Sequence, residues 1–191
     1  MHSNKAGVRI IAGEYRGRRI AVPDRPGLRP TPDRVRETLF NWLGQSLDGL
    51  ACLDLFAGSG ALGFEAASRG AARVVMVEHD RAAFALLRKT RELLAARQVQ
   101  LVLDDAYAYL KRATERFDVV FLDPPFRQNA LPPVFQRLER RLKSGARIYV
   151  ESDAPAAPGG WTELKRSRAG QVSYQLFEWR GDDQGGLSGN V

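Results

Sequence analysis

From residue 50 onward the chain repeats one unit. A short run of β-branched and aliphatic residues is followed by a polar or glycine-rich turn and then by a stretch with helical apolar spacing. Residues 50–56, 73–77, 99–103, 117–122 and 147–151 read as strands, and residues 62–68, 81–96, 106–113 and 133–142 as helices. Strands joined through helices run parallel, and such a sheet is covered by helices on both faces. An α/β fold is therefore expected. The end breaks the pattern: residues 161–168 and 172–179 are strand-like and separated only by Ala169-Gly170-Gln171. A parallel crossover needs a dozen or more residues, so these two form an antiparallel hairpin.

The segment before residue 50 is of another kind. Residues 8–12 and 18–22 are short β-type runs around Gly13-Glu14-Tyr15-Arg16-Gly17, which reads as a further hairpin. A Pro/Gly connector follows over residues 23–30. Thr31-Pro32-Asp33 looks like a helix start, with Thr31 as N-cap and Pro32 at the first helical position. Val35, Leu39, Trp42 and Leu43 give that helix one apolar face, which leaves Arg34 and Arg36 pointing to solvent or a partner. The organisation expected is an N-terminal arm and connector (1–30), an α/β domain (31–180), and a disordered glycine-rich tail (181–191).

Charge separates the arm from the body. Of the net +7, residues 1–36 hold +6, and eight of their nine basic side chains are arginine. The planar guanidinium fork suits phosphate and stacks on bases, so the arm reads as a polyanion-binding device. A solvated arm kept soluble by its charge is the plainer alternative. No run approaches the ~18 apolar residues of a membrane span, and residues 1–7 lack a signal-peptide core. Cys52 is the single cysteine and lies in a strand-like run, so a buried thiol in a cytoplasmic protein is expected. With His2 and His79 far apart, no metal-ligand spacing is present.

Two stretches carry chemistry. In the first, Asp54-Leu55-Phe56-Ala57-Gly58-Ser59-Gly60-Ala61-Leu62-Gly63 joins a strand to a helix, with glycines at G-x-G-x-x-G spacing. Glu78 ends the next strand, where a carboxylate can accept both ribose hydroxyls, and Asp105 follows the third, placed to accept from an adenine amino group. These features point to nucleoside binding, with a purely structural glycine-rich βα turn as the plainer alternative, and they are shared with nicotinamide enzymes. Asp54 tilts the choice, because a pyrophosphate disfavours a carboxylate at that position whereas the cationic S-adenosylmethionine tolerates one. The candidate cofactor-binding residues are Asp54, Phe56, Ala57, Gly58, Ser59, Gly60, Glu78, Asp105 and Ala106, with Asp104 the alternative to Asp105.

The second stretch is Asp123-Pro124-Pro125-Phe126, after the strand at 117–122. The prolines end the strand and stiffen the turn. They leave a carboxylate, backbone carbonyls and a ring at the sheet's C-terminal edge, where ligands of open α/β sheets bind. Taken alone, it is equally a strand-ending turn with a capping Asp.

Together these residues, in this order on successive strand ends, resemble the Rossmann-like (class I) methyltransferases, and the tetrapeptide resembles the [Asn/Asp]-Pro-Pro-[aromatic] motif of enzymes that methylate exocyclic or amide nitrogens. Residues 9–19 (RIIAGEYRGRR) and 28–43 (LRPTPDRVRETLFNWL) are similar to the RsmD family, bacterial small-subunit (16S) ribosomal RNA guanine-N2 methyltransferases. The resemblance implies a seven-stranded sheet in the order 3-2-1-4-5-7-6, strand seven antiparallel. It also implies S-adenosylmethionine as methyl donor, S-adenosylhomocysteine as product, and 16S RNA, within a partly assembled subunit, as partner of a monomer. Asp123 and the Pro124 carbonyl would then accept from the target amino group, and Phe126 would stack on the base. Pro125, Arg16, Arg18, Arg19, Arg29, Arg34 and Arg36 would hold the RNA. The rivals are an adenine-N6 or glutamine-amide methylase, an NAD(P)-linked oxidoreductase, and a non-catalytic RNA-binding module. Of these, the last leaves three strand-end acids unexplained.

Overall fold

The computed structural model describes residues 7–23, 31–125 and 131–181. A two-stranded antiparallel hairpin, β1 (Val8–Arg9) with β2 (Arg19–Ile20), precedes helix α1 (Asp33–Leu43). The alternating part runs β3 (Ala51–Asp54), α2 (Ala61–Ser68), β4 (Arg73–Glu78), α3 (Arg81–Leu94), β5 (Val99–Leu103), α4 (Ala106–Arg112), β6 (Phe117–Leu122), α5 (Leu131–Leu138) and β7 (Leu142–Ser152). Strands β8 (Thr162–Ala169) and β9 (Val172–Trp179) complete a seven-stranded sheet in the order β5-β4-β3-β6-β7-β9-β8. Renumbered from β3, this is the expected 3-2-1-4-5-7-6. Strand β9 is antiparallel to both neighbours and the other pairings are parallel.

Side chains alternate across the sheet with period two. Cys52, Val74, Met76, Val119, Phe121 and Tyr149 face a core layer under α1, α2, α3 and the hairpin. Leu53, Val75, Val77, Val120, Leu122, Ile148 and Val150 face the opposite layer under α4 and α5. The βα boundaries are set by caps: Asp80 accepts from Ala83 N at 2.8 Å, and Asp105 accepts from Tyr107 N at 2.9 Å and Ala108 N at 3.1 Å.

Several boundaries differ from the sequence reading, most of all around residue 140. The helix expected over 133–142 ends at Leu138 and continues as a 3₁₀ turn over Glu139–Arg141, because Leu142 already pairs with Phe117 in the sheet. Strand β7 therefore begins five residues before 147, with a register shift before Arg147 and Gly145 at φ +78°.

The basic hairpin is packed on the body. Val8, Ile10, Tyr15 and Ile20 are buried in the first core layer. The fully buried Glu65 of α2 accepts from Ile11 N at 2.8 Å and Ala12 N at 3.0 Å, and Arg69 Nε donates to it at 2.8 Å. Gly13 lies so close to α2 that a Cβ would collide with the Ser68 carbonyl.

Candidate functional site

Four strands end in acids on one face of the sheet. Asp54, Glu78, Asp123 and Glu151 follow Cys52, Met76, Phe121 and Tyr149 by two residues, so they share the face of the first core layer at its C-terminal edge. The pairing Leu122↔Val150 continues to place Asp123 beside Glu151, and Asp54 pairs with Phe121 on the other side of β6.

Asp54 is 2% exposed, and its Oδ2 accepts from Gly63 N at 3.0 Å, in the first turn of α2. Burial pushes its carboxyl up to about 7, the Gly63 N–H opposes that, and the charge of Glu78 adds to it. Glu78 is also buried; Oε2 accepts from Gly58 N at 2.9 Å and Oε1 from Asp80 N at 2.7 Å. His79 Nδ1 also lies 3.4 Å from Oε1, so among the described residues Oε2 is the oxygen that keeps a lone-pair site. The loop between them is pinned by Ala57 N to Val77 O at 2.9 Å, with Ser59 buried and Phe56 half-buried.

The glycines divide by task. Gly58 takes φ +53° where its N–H meets Glu78. A Cβ on Gly60, at φ +80°, would meet Leu87, Met76 and Phe64 at 2.7 Å, and one on Gly63 would meet Met76 at 2.8 Å. Those two positions serve the seating of α2 on β4. Asp105 is exposed while its Oδ1 caps α4, which leaves Oδ2 at the surface beside buried Ala106; Asp104 is tied to Arg112 at 2.7 Å.

At the end of β6, Asp123 is half-buried, Pro124 buried and Pro125 exposed. Burial, then the charges of Glu151 and Asp54, hold the Asp123 carboxyl well above the ordinary carboxylate range. Burial also raises Glu151, against the hydroxyls of Tyr149 and Thr31. The Thr31 Oγ1 lies 3.3 Å from Asp123 Oδ2 and 3.1 Å from Glu151 Oε1, and Tyr149 donates to the same Oε1 at 2.8 Å. Glu151 and Tyr149 are not among the candidates read from the sequence, although Glu151 stands at a strand end in phase with Asp123. Thr31 was read as an N-cap; the helix starts at Asp33 with no side-chain cap, and the hydroxyl turns into the site instead.

Arg36 requires a correction. It is fully buried and does not face solvent: Nε donates to Thr31 O at 3.3 Å, Nη2 to Arg9 O at 2.8 Å and Asp33 Oδ1 at 2.6 Å, and Nη1 reaches Glu65 at 3.4 Å. Its guanidinium ties α1 to the hairpin and α2, so it is not free to grip phosphate. The signal was Phe40, one turn on, which is fully buried and places Arg36 inside the apolar stripe. Arg16, Arg18, Arg19 and Arg34 are exposed, with Arg18 and Arg19 bonded to the Leu93 and Gly7 carbonyls. Phe126 and Arg29 lie outside the described residues.

Known proteins are similar to this chain over most of its length. The family model described as Conserved hypothetical protein 95 matches residues 8–178. Ribosomal RNA small subunit methyltransferase D of Escherichia coli (strain K12) is 45% identical over 183 residues, which cover 93% of this chain and 92% of that protein. Its counterpart in Haemophilus influenzae is also 45% identical, covering 91% and 95%. Among solved structures, "Putative methyltransferase yhhF from Escherichia coli" superposes with a TM-score of 0.84 at 42% identity, covering 93% of this chain and all of that one. The match thus takes in the basic hairpin, the glycine loop and the Asp-Pro-Pro turn together, and the chain belongs to the RsmD family of ribosomal RNA small-subunit methyltransferases.

Proposed function

We propose that this chain transfers a methyl group from S-adenosylmethionine to the exocyclic N2 of a guanine in 16S ribosomal RNA. The observation that carries the reading is the half-buried acid Asp123, followed by a proline carbonyl, beside the strand-end acids of a nucleoside site. The residues present fit that cofactor. Among the described residues, no lysine or arginine is among the groups that act on Asp54 and Asp123, so both carboxyls are short of positive charge there. A sulfonium and an α-ammonium meet that deficit. Glu78 and Asp105 retain acceptor capacity for ribose and adenine.

When bound, S-adenosylmethionine supplies the electrophilic methyl carbon. The chain's own part is to prepare the amine. The guanine N2 lone pair is delocalised into the ring, and attack requires the nitrogen to pyramidalise as positive charge grows on it. The Asp123 carboxylate and the Pro124 carbonyl accept its two N–H bonds, which localises the lone pair and stabilises that charge. Phe126 stacks on a base taken out of its helix, at a cost of a few kcal/mol that stacking of ~1–3 kcal/mol offsets in large part. Arg16, Arg18, Arg19, Arg29 and Arg34, with Pro125 at the mouth, hold the surrounding RNA. On this reading the enzyme acts in the cytoplasm, as a monomer, on a partly assembled subunit.

The test is nucleoside mass spectrometry of 16S RNA after reaction of the purified protein with unmodified small subunits. N2-methylguanosine is expected. Asp123→Ala is expected to lose roughly 10²-fold or more in rate while still binding S-adenosylhomocysteine. N6-methyladenosine in its place overturns the guanine assignment.

A further inference from the structure

A hydroxyl carries one hydrogen, yet Thr31 lies within hydrogen-bond distance of two carboxyl groups, at 3.3 Å from Asp123 Oδ2 and 3.1 Å from Glu151 Oε1. Donation to both is impossible. Glu151 Oε1 also accepts from the Tyr149 hydroxyl at 2.8 Å, so two donors converge on one oxygen, as an ionised carboxylate favours. If Thr31 gives its hydrogen to Glu151, its lone pairs face Asp123 Oδ2. That contact is a hydrogen bond only when Asp123 carries a proton. Every hydrogen in the chain Asp123–Thr31–Glu151–Tyr149 is then used once. The Arg36 Nε–H that holds the Thr31 carbonyl at 3.3 Å fixes where the hydroxyl sits. Glu151 is 6% exposed and Tyr149 fully buried.

We infer that Glu151 and Thr31 are positioning residues that make Asp123 the acceptor of the proton released by the methylated nitrogen. The inference rests on the role of Asp123 proposed above. As the new N–C bond forms, nitrogen becomes positively charged. Its N–H bond then breaks, the electron pair stays on nitrogen, and the proton passes to the ionised Asp123 carboxylate. The product is a neutral secondary amine and a neutral Asp123 whose Oδ2–H donates to Thr31. The negative Glu151 behind Thr31 raises the proton affinity of Asp123 and orients the hydroxyl lone pair toward it. The other titratable groups facing this pair are Asp54 from β3 and Tyr174 from β9, with Tyr149 on the same strand as Glu151.

The test is the pH profile of single-turnover methyl incorporation into 16S RNA of unmodified small subunits, counted as total label whatever the base. The wild-type rate is expected to rise with pH as Asp123 ionises. Glu151→Gln should move the midpoint down by a pH unit or more and lower the plateau about tenfold. Thr31→Val should also move it down, whereas Thr31→Ser should keep the wild-type midpoint with a rate within about threefold. An upward shift in Thr31→Val means that Thr31 donates to Asp123 and overturns the inference; so does an unmoved midpoint in Glu151→Gln. A second readout needs no change at Glu151. The infrared spectrum of the ligand-free protein, followed from pH 5 to pH 9, should contain a protonated-carboxyl stretch that Asp123→Asn removes and that fades at lower pH in Thr31→Val; a stretch that fades at the same or a higher pH in Thr31→Val overturns the inference. Identification of the methylated nucleoside is separate, so a wrong target base leaves these results standing, and an unmoved midpoint with N2-methylguanosine formed sinks this inference alone.

Discussion

At the scale of single residues, the site is defined by carboxyls gathered at the strand ends, with Asp54 and Asp123 held above the ordinary carboxylate range by burial and by neighbouring acids. Asp54 illustrates the consequence for pH. Its folded-state value of about 7 stands above its ordinary 3.8, so the folded protein holds a proton that the unfolded chain has released. Stability from this group is greatest at low pH and is lost as pH rises from about 4 through 7. A cationic ligand has the opposite preference and binds the ionised form. S-adenosylmethionine should therefore bind roughly eightfold more tightly at pH 7.5 than at pH 6 by this linkage. Isothermal titration across that range should show the trend in the wild type, and weaker, nearly flat binding in Asp54→Asn. An equal slope in the variant would move the effect to another carboxyl.

At the scale of elements, Glu65 is where the α/β body and the N-terminal hairpin are joined. One carboxylate receives two backbone N–H groups from the hairpin, Arg36 from α1 and Arg69 from its own helix, and Arg69 also lies 4.6 Å over the Phe40 ring. Removing one member of such a buried network leaves uncompensated charge, at a cost of about 3–5 kcal/mol. Glu65→Ala is expected to lower the thermal midpoint accordingly and to release the Ile11 and Ala12 amides to fast hydrogen exchange. The same junction marks the limit of what the sequence told. The strands and helices were legible because each carries its own period, and Asp54, Glu78 and Asp123 because each ends a recognisable strand. Arg36 was not, since an arginine beside an apolar stripe reads as surface until its partner is known, and that partner lies 29 residues on. Thr31 illustrates the same blindness: its hydroxyl is claimed by residues 92 and 120 positions away, against which local capping chemistry loses.

For the whole molecule, charge and stability have different seats. The net +7 is concentrated at the N-terminal end, and the hairpin that carries much of it is held rigidly on the core. Its RNA affinity should therefore be strongly salt-dependent. Replacing Arg16, Arg18 and Arg19 together by Gln should make the slope of log K against log salt shallower by about 2, at ~0.7 per phosphate contact on unpaired RNA. Filter binding at several salt concentrations measures it, and an unchanged slope removes these three from the interface.

Stability resides in the middle of the sheet, where Cys52 lies between β4 and β6, fully buried, with burial pushing its thiol up to about 12. As the chain's single cysteine, it makes the protein its own opening meter. An alkylating reagent can reach that sulfur only when the central strands part, so labelling should proceed at the rate set by global unfolding and be slowed further by S-adenosylhomocysteine.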